Sequence, residues 1–138
     1  MSMMGMLRLR DETSAEENRL SVTQAMVDFA SENWKLNQMV ERYVLGMDPM
    51  DADRFLNQFA WYQRKAQAVL DEAGLSIVDL TGQAYNTGLA VTPLNLEDFP
   101  NRPDAVFRIA QMVDPIVMEK GRVRKTGTVM LREEMEGI

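Results

Sequence analysis

Cysteine and histidine are both missing from this chain of 138 residues. Without cysteine there is no disulfide and no thiolate nucleophile, which fits a reducing compartment, and the cytoplasm is the expected location. Without histidine as well, Ser-His and Cys-His relays and zinc sites of the usual Cys/His kind are excluded. No D-x-D-x-D-G spacing supports a carboxylate-only calcium or magnesium site, so no metal, cofactor or catalytic residue is expected. No apolar run approaches the ~18 residues that a membrane-spanning helix needs. The opening residues lack the long apolar stretch and small-residue cleavage site of a signal peptide. There is no internal repeat and no low-complexity tract. These absences point away from an enzyme and a membrane protein, and toward a protein that acts by binding another protein.

What is present is a moderate apolar share, 46%, and charge that is unevenly placed along a chain of net charge -6. Through Asn101 there are 8 basic and 15 acidic residues, net -7. From Arg102 to Arg132 there are 7 basic and 3 acidic residues, net +4, and the tail returns to acid. An acidic front and a basic back imply different neighbours for the two halves. The basic stretch is short and has few aromatic residues for base stacking, so nucleic acid is not an expected partner.

The front half has helical rhythm. Ser14-Ala15-Glu16-Glu17 has the S-x-x-E form of a capping box, which predicts a helix start there. Beyond it Val22, Met26, Phe29, Asn33, Leu36, Val40, Tyr43 and Met47 recur at alternating spacings of four and three. Such a heptad rhythm puts all eight on one seam. Asn33 falls in the register of Met26, where a buried asparagine can pair with its symmetry mate and set the register of a parallel dimer. The alternative is one apolar face packed on its own chain with Asn33 at its edge; Leu20, Val27 and Trp34 broaden that face in a way that suits a bundle. Asp48-Pro49 then supplies an N-cap and a first-turn proline, and Ala52, Phe55, Phe59, Tyr62, Ala66, Val69 and Ala73 carry a second helix to a stop at Gly74. A short αα-hairpin is the natural way for the two to meet.

After Gly74 the texture becomes β-rich. Strands are expected at 75–80, 89–92, 106–113, 116–118 and 123–131, with a turn at Glu119-Lys120-Gly121 and an irregular loop over 95–103. Pro115 lacks an amide donor and belongs at an edge or bulge. The predicted fold is therefore α+β: a helical hairpin or coiled-coil segment over 14–74, then a small all-β module of about four strands over 75–132. Flexible termini are expected at 1–13 and 133–138.

Three stretches resemble the GrpE family, the nucleotide exchange factors of DnaK-type chaperones. They are Leu70-Asp71-Glu72-Ala73-Gly74-Leu75-Ser76-Ile77, Phe99-Pro100-Asn101-Arg102-Pro103-Asp104-Ala105-Val106, and Gly121-Arg122-Val123-Arg124-Lys125-Thr126-Gly127-Thr128-Val129-Met130-Leu131. Their order behind two helices is also similar, and the resemblance spans about 55–131. The loop departs from the family pattern in lacking its histidine and the aspartate between Phe99 and Pro100. The resemblance implies a homodimer built on paired helices and a β domain that opens a chaperone's nucleotide-binding domain to release ADP. It implies partner contacts from Phe99, Pro100, Asn101, Arg122, Arg124, Lys125 and Leu131, and a dimer seam from the eight heptad residues.

Each marked residue also has a plainer role open to it. Arg122 and Lys125 can face an acidic partner or simply guard an edge strand against aggregation. Phe99 can anchor a recognition loop or tuck beneath it. Val123, Val129 and Leu131 alternate as one core face would. The adjacent carboxylates Asp71-Glu72 and Glu97-Asp98 point apart and form no acid/base pair. Besides a co-chaperone, the same features fit a dimeric adaptor or assembly protein that keeps the shape without exchange activity.

Overall fold

The computed structural model describes residues 2–134, with side chains from residue 13 onward. Two helices, α1 (Ser2–Val44) and α2 (Pro49–Glu72), precede six strands: β1 (Leu75–Val78), β2 (Val91–Pro93), β3 (Val106–Asp114), β4 (Ile116–Glu119), β5 (Arg122–Lys125) and β6 (Gly127–Glu134). The fold is α+β.

α1 starts earlier than the capping box suggests. Ser14 lies inside the helix, so it caps nothing, and the stretch expected to be flexible is helical from Ser2. Methionine, leucine and arginine dominate those first residues, and all are good helix formers. At 1.5 Å per residue α1 is about 65 Å long. α2 begins as expected: the Asp48 carboxylate accepts from the Met50 amide at 3.0 Å, and Pro49 occupies the first turn. It ends at Ala73, and Gly74 takes φ +75, a conformation that favours glycine.

Residues 45–48 turn the chain into an antiparallel hairpin, in which the Asn33 side-chain amide donates to Gln63 Oε1 at 3.3 Å. Closer to the strands Val27, Ala30, Leu70, Leu75 and Val117 form one buried cluster, so the hairpin and the β module share a core. With Asn33 opposite Gln63, the end of α2 at Glu72 falls opposite about Gln24. The preceding twenty-odd residues of α1 therefore extend past α2 by roughly 30 Å, and every described side chain from 13 to 22 is exposed.

The strands make two three-stranded sheets, β1-β4-β5 and β2-β6-β3, where about four strands were expected. β3 and β4 are separated only by Pro115, and β5 and β6 only by Thr126; each pair is one extended run that changes sheets at its corner. Pro115, almost fully buried, needs no ladder partner at the corner. Gly127 is required by close approach. A Cβ there would lie 2.7 Å from Met112 Cε and 2.8 Å from the Asp114 carbonyl oxygen. The β4–β5 hairpin turns on Lys120 and Gly121, with φ 48 and 83, the two positive values of a type I′ turn.

The corner at Thr126 also corrects the expected alternation. Val129 and Leu131 are buried in the second core, with Ile109, Met112 and Ile116, but Val123 belongs to the other sheet and is 45% exposed. β6 runs to Glu134, so residues 133 and 134, expected in a flexible tail, are strand; residues 135–138 lie outside the described residues. Where β2 ends, Asn95 takes over its pairing. The Leu131 amide donates to Asn95 Oδ1 at 2.8 Å, and Asn95 Nδ2 donates to the Leu131 carbonyl at 2.9 Å.

Candidate partner-binding surfaces

Two surfaces come from the elements described: one side of the helical hairpin, and the loops and hairpin of the β module. The hairpin side follows from helix geometry. Side chains advance about 100° per residue. On α1, Ala30, Asn33 and Val40 are buried toward α2, and Val27 and Trp34 face the strand cores. Phe29 and Tyr43 lie on the remaining arc, beside α2; Leu36 borders a groove against β3, and Val22 lies on the overhang past the end of α2. On α2, Ala66 and Leu70 are buried toward α1, and Phe55, Tyr62 and Val69 sit to one side of them. Because the helices are antiparallel, both offsets carry the side chains to the same side of the hairpin. The β module covers the other side.

This apolar side is open in the single chain. Val22 is 61% exposed, Phe29 39%, Tyr43 72%, Phe55 38%, Tyr62 41% and Val69 49%. Phe55, Phe59 and Tyr62 form an aromatic run along α2, with centroids 6.0 Å apart at each step. Five large apolar residues, Phe29, Tyr43, Phe55, Tyr62 and Val69, exposed on one side of two helices, with Val22 on the overhang, exceed what scattered surface hydrophobics explain.

The expected seam divides. Val22, Phe29 and Tyr43 are exposed, Met26, Leu36 and Met47 are half-buried, and Asn33 and Val40 are buried. Asn33 is turned into its own hairpin toward Gln63, so in this chain it does not stand open at a seam for a symmetry mate. The reason is angular: at 3.6 residues per turn a 3.5-residue rhythm drifts, and α2 takes the part of the arc that holds Asn33. The aromatic contribution of α2 to the open side was not separable from its inward face by spacing alone. Phe55, Phe59, Tyr62 and Ala66 belong to one periodic row, and only the position of α1 divides it.

On the β module the expected contact residues also divide. Pro100 and Asn101 are exposed on the loop, and Arg122 is exposed on the hairpin. Arg124 donates to Glu119 within its own hairpin, and Lys125 lies 4.0 Å from Asp28 of α1. Phe99 packs on Phe107 with ring centroids 5.1 Å apart and belongs to the second core. It tucks beneath its loop. Leu131, expected as a contact residue, is 3% exposed and faces the core; the register of β6 turns it inward and turns Met130 and Arg132 to the other face.

No protein-family model, curated protein or solved structure matches this chain.

Beside the shared core, a charge contact at the sheet corner ties the hairpin to the β module. Lys35 of α1 donates to Asp114 at the end of β3, and the Thr128 hydroxyl donates to the other Asp114 oxygen. The hydrogen bond from Lys35 and then that from Thr128 hold the Asp114 carboxyl below its usual range, against the opposing effect of burial. The same hydrogen bond raises Lys35. Lys125 and Asp28 make a second, looser tie between strand and helix. Among the described residues no group of three or more acidic residues is placed to hold a metal ion, and no helix is long and apolar enough to cross a membrane.

Proposed function

We propose that this chain is a GrpE-like co-chaperone: a homodimer that binds the nucleotide-binding domain of a DnaK-type chaperone and promotes ADP release. The observation that supports it best is the pairing of an open apolar side on an antiparallel hairpin with a strand-built head on the opposite side. Two hairpins facing each other through Phe29, Tyr43, Phe55, Tyr62 and Val69 make a four-helix bundle and leave both heads outward. The overhanging half of α1 supports the same reading, since an isolated helix of about twenty residues is marginal in water and gains from a partner.

The head then offers Pro100 and Asn101 of the loop and Arg122 of the β4–β5 hairpin to the chaperone. Arg124 and Lys125 follow Arg122 on β5 with acidic neighbours of their own, and the loop lies at the other end of β6, where Arg102 reaches Glu133. The work is mechanical. Exchange is accelerated if the open, nucleotide-poor chaperone is bound more tightly than the closed one, because a ligand shifts an equilibrium only by that difference. A thousandfold acceleration needs about 4 kcal/mol of differential binding. We place the protein with its chaperone in the cytoplasm.

A DnaK-type chaperone loaded with fluorescent ADP tests the reading. Stopped-flow release accelerates on adding the protein, and Arg122→Glu slows that acceleration by about tenfold, or ~1.4 kcal/mol. Unchanged release with a folded, dimeric sample refutes exchange activity.

One observation favours a second reading, a dimeric adaptor without exchange activity. Phe99 and Leu131, both in the stretches that resemble the family, serve the core of the head. A pull-down that returns a non-chaperone partner, together with unchanged ADP release, would select the adaptor.

A further inference from the structure

The loop between β2 and β3 is tied down by side chains where its backbone leaves the sheet. β2 ends at Pro93, and the Leu94 amide still donates to the Val129 carbonyl at 2.9 Å. The next pairing is made by a side chain. Asn95 holds both main-chain groups of Leu131, accepting from its amide at 2.8 Å and donating to its carbonyl at 2.9 Å. A side-chain amide offers the same donor and acceptor as a peptide unit, so it continues the ladder while its own backbone turns away. That turn is the short helix Leu96–Asp98, where the Asp98 amide donates to the Asn95 carbonyl at 3.0 Å. Asn95 thus fixes both the sheet side of the loop and its first turn.

Two more contacts follow. Phe99 packs on Phe107, and Arg102 reaches Glu133 at 3.8 Å. The Arg102 side chain is 60% exposed, and an ion pair that open contributes little. Between these ties an open cleft of about 350 Å³ lies among Leu96, Phe99, Pro100, Arg102 and Phe107. Its walls apart from Phe107 are loop residues, so the cleft exists only while the loop keeps this shape. Leu94 and Leu96, on either side of Asn95, are 55% and 44% exposed, and Val106, where the loop rejoins β3, is 39% exposed. Large apolar side chains grouped in and beside one loop mark a contact surface.

We propose that Asn95 is a positioning residue for partner recognition: by clamping Leu131 it holds the loop in the shape that forms the cleft and presents Pro100 and Asn101. This inference rests on the co-chaperone reading and adds to it the group that sets the contact loop. The physical basis is preorganisation. A partner that needs this loop shape binds only the fraction of molecules that have it, and the apparent affinity falls with that fraction. Asn95 acts through Leu131 and makes no contact with the partner itself. The kinetic mark is therefore specific. Freeing the loop slows association, while dissociation starts from a bound loop with unchanged contacts and keeps its rate.

The test follows binding of the full chain to an immobilised, nucleotide-free DnaK-type chaperone by surface plasmon resonance, with hydrogen exchange reading the loop. Asn95→Ala slows association about tenfold and leaves dissociation within about twofold of the parent. Exchange quickens at Asp98, Phe99 and Leu131 and is unchanged in β1 and β4, which belong to the other sheet. If alanine unfolds the head, Asn95→Asp takes its place. It keeps the acceptor for the Leu131 amide, loses the donor, and slows association about threefold. Unchanged association in a folded variant overturns the inference. A loss carried by faster dissociation also overturns it, because Asn95 would then be a contact residue. So does unchanged exchange at Asp98 and Phe99, because the loop would then keep its shape unaided. A parent chain that binds no chaperone refutes the co-chaperone reading itself, and this inference falls with it.

Discussion

Phe29→Glu and Leu56→Glu form a matched pair that isolates the open side of the hairpin. The two residues are almost equally exposed, 39% and 38%, so each substitution removes a similar amount of packing from its own chain. They differ in direction. Phe29 lies on the open apolar side with Tyr62 and Val69, and Leu56 lies on the other flank of α2. A phenylalanine side chain offers about 200 Å² for burial, so the exposed portion of Phe29 is roughly 80 Å². At ~25 cal/mol per Å² its burial in a dimer contributes about 2 kcal/mol, and symmetry doubles that to about 4 kcal/mol per dimer. Phe29→Glu therefore weakens the dimer by roughly a thousandfold, before adding the cost of desolvating two carboxylates. Leu56→Glu leaves self-association within about threefold of the parent. Sedimentation velocity over a concentration series reads both, and circular dichroism checks that both chains stay helical. If the two variants sediment alike, or if the parent chain is a monomer at tens of micromolar, the assignment of that side as a dimer surface fails.

Two further expectations concern the sheet corner. Gly127→Ala places a Cβ against the Asp114 carbonyl, which is backbone and cannot swing away as Met112 can, so urea denaturation should show a loss of about 1–3 kcal/mol. A drop below 0.5 kcal/mol would mean that the corner relaxes freely. The Lys35–Asp114 contact is pH-dependent in a defined window. Asp114 is depressed in the folded chain, so its contribution is complete above the ordinary aspartate value of 3.8 and is lost as pH falls through the lower folded value. Lys35 is raised, so its contribution is complete below 10.5 and is lost as pH rises beyond that. Lys35→Met should cost about 0.5–1 kcal/mol at pH 7, a gap that narrows as pH falls below 3.8; a gap that stays constant across the acid range would assign the effect to packing.

From Ser14 onward the order and type of the main elements are legible in the sequence, whereas 1–13, expected to be flexible, is helical from Ser2. Asp48-Pro49 and Gly74 delimit α2 because an N-cap carboxylate, a first-turn proline and a positive-φ glycine act within a few residues of each other. The rhythm from Val22 to Tyr43 showed that an apolar stripe exists. It did not show which part of the stripe the chain covers itself. That was decided by α2 and by the strands, which take Asn33, Val40 and Val27 and leave Val22, Phe29 and Tyr43 open. The strands were legible as extended runs with a break at Asp114-Pro115, but the division of 123–131 at Thr126 was not. Pro115 and Thr126 change sheets only because two sheets must close one core, and each corner resets which side chains point inward. For that reason Leu131 is inside and Val123 is outside, although alternation placed them together. Local chemistry decides where an element begins and ends; which of its faces is buried depends on residues tens of positions away, through contacts that no short-range pattern encodes.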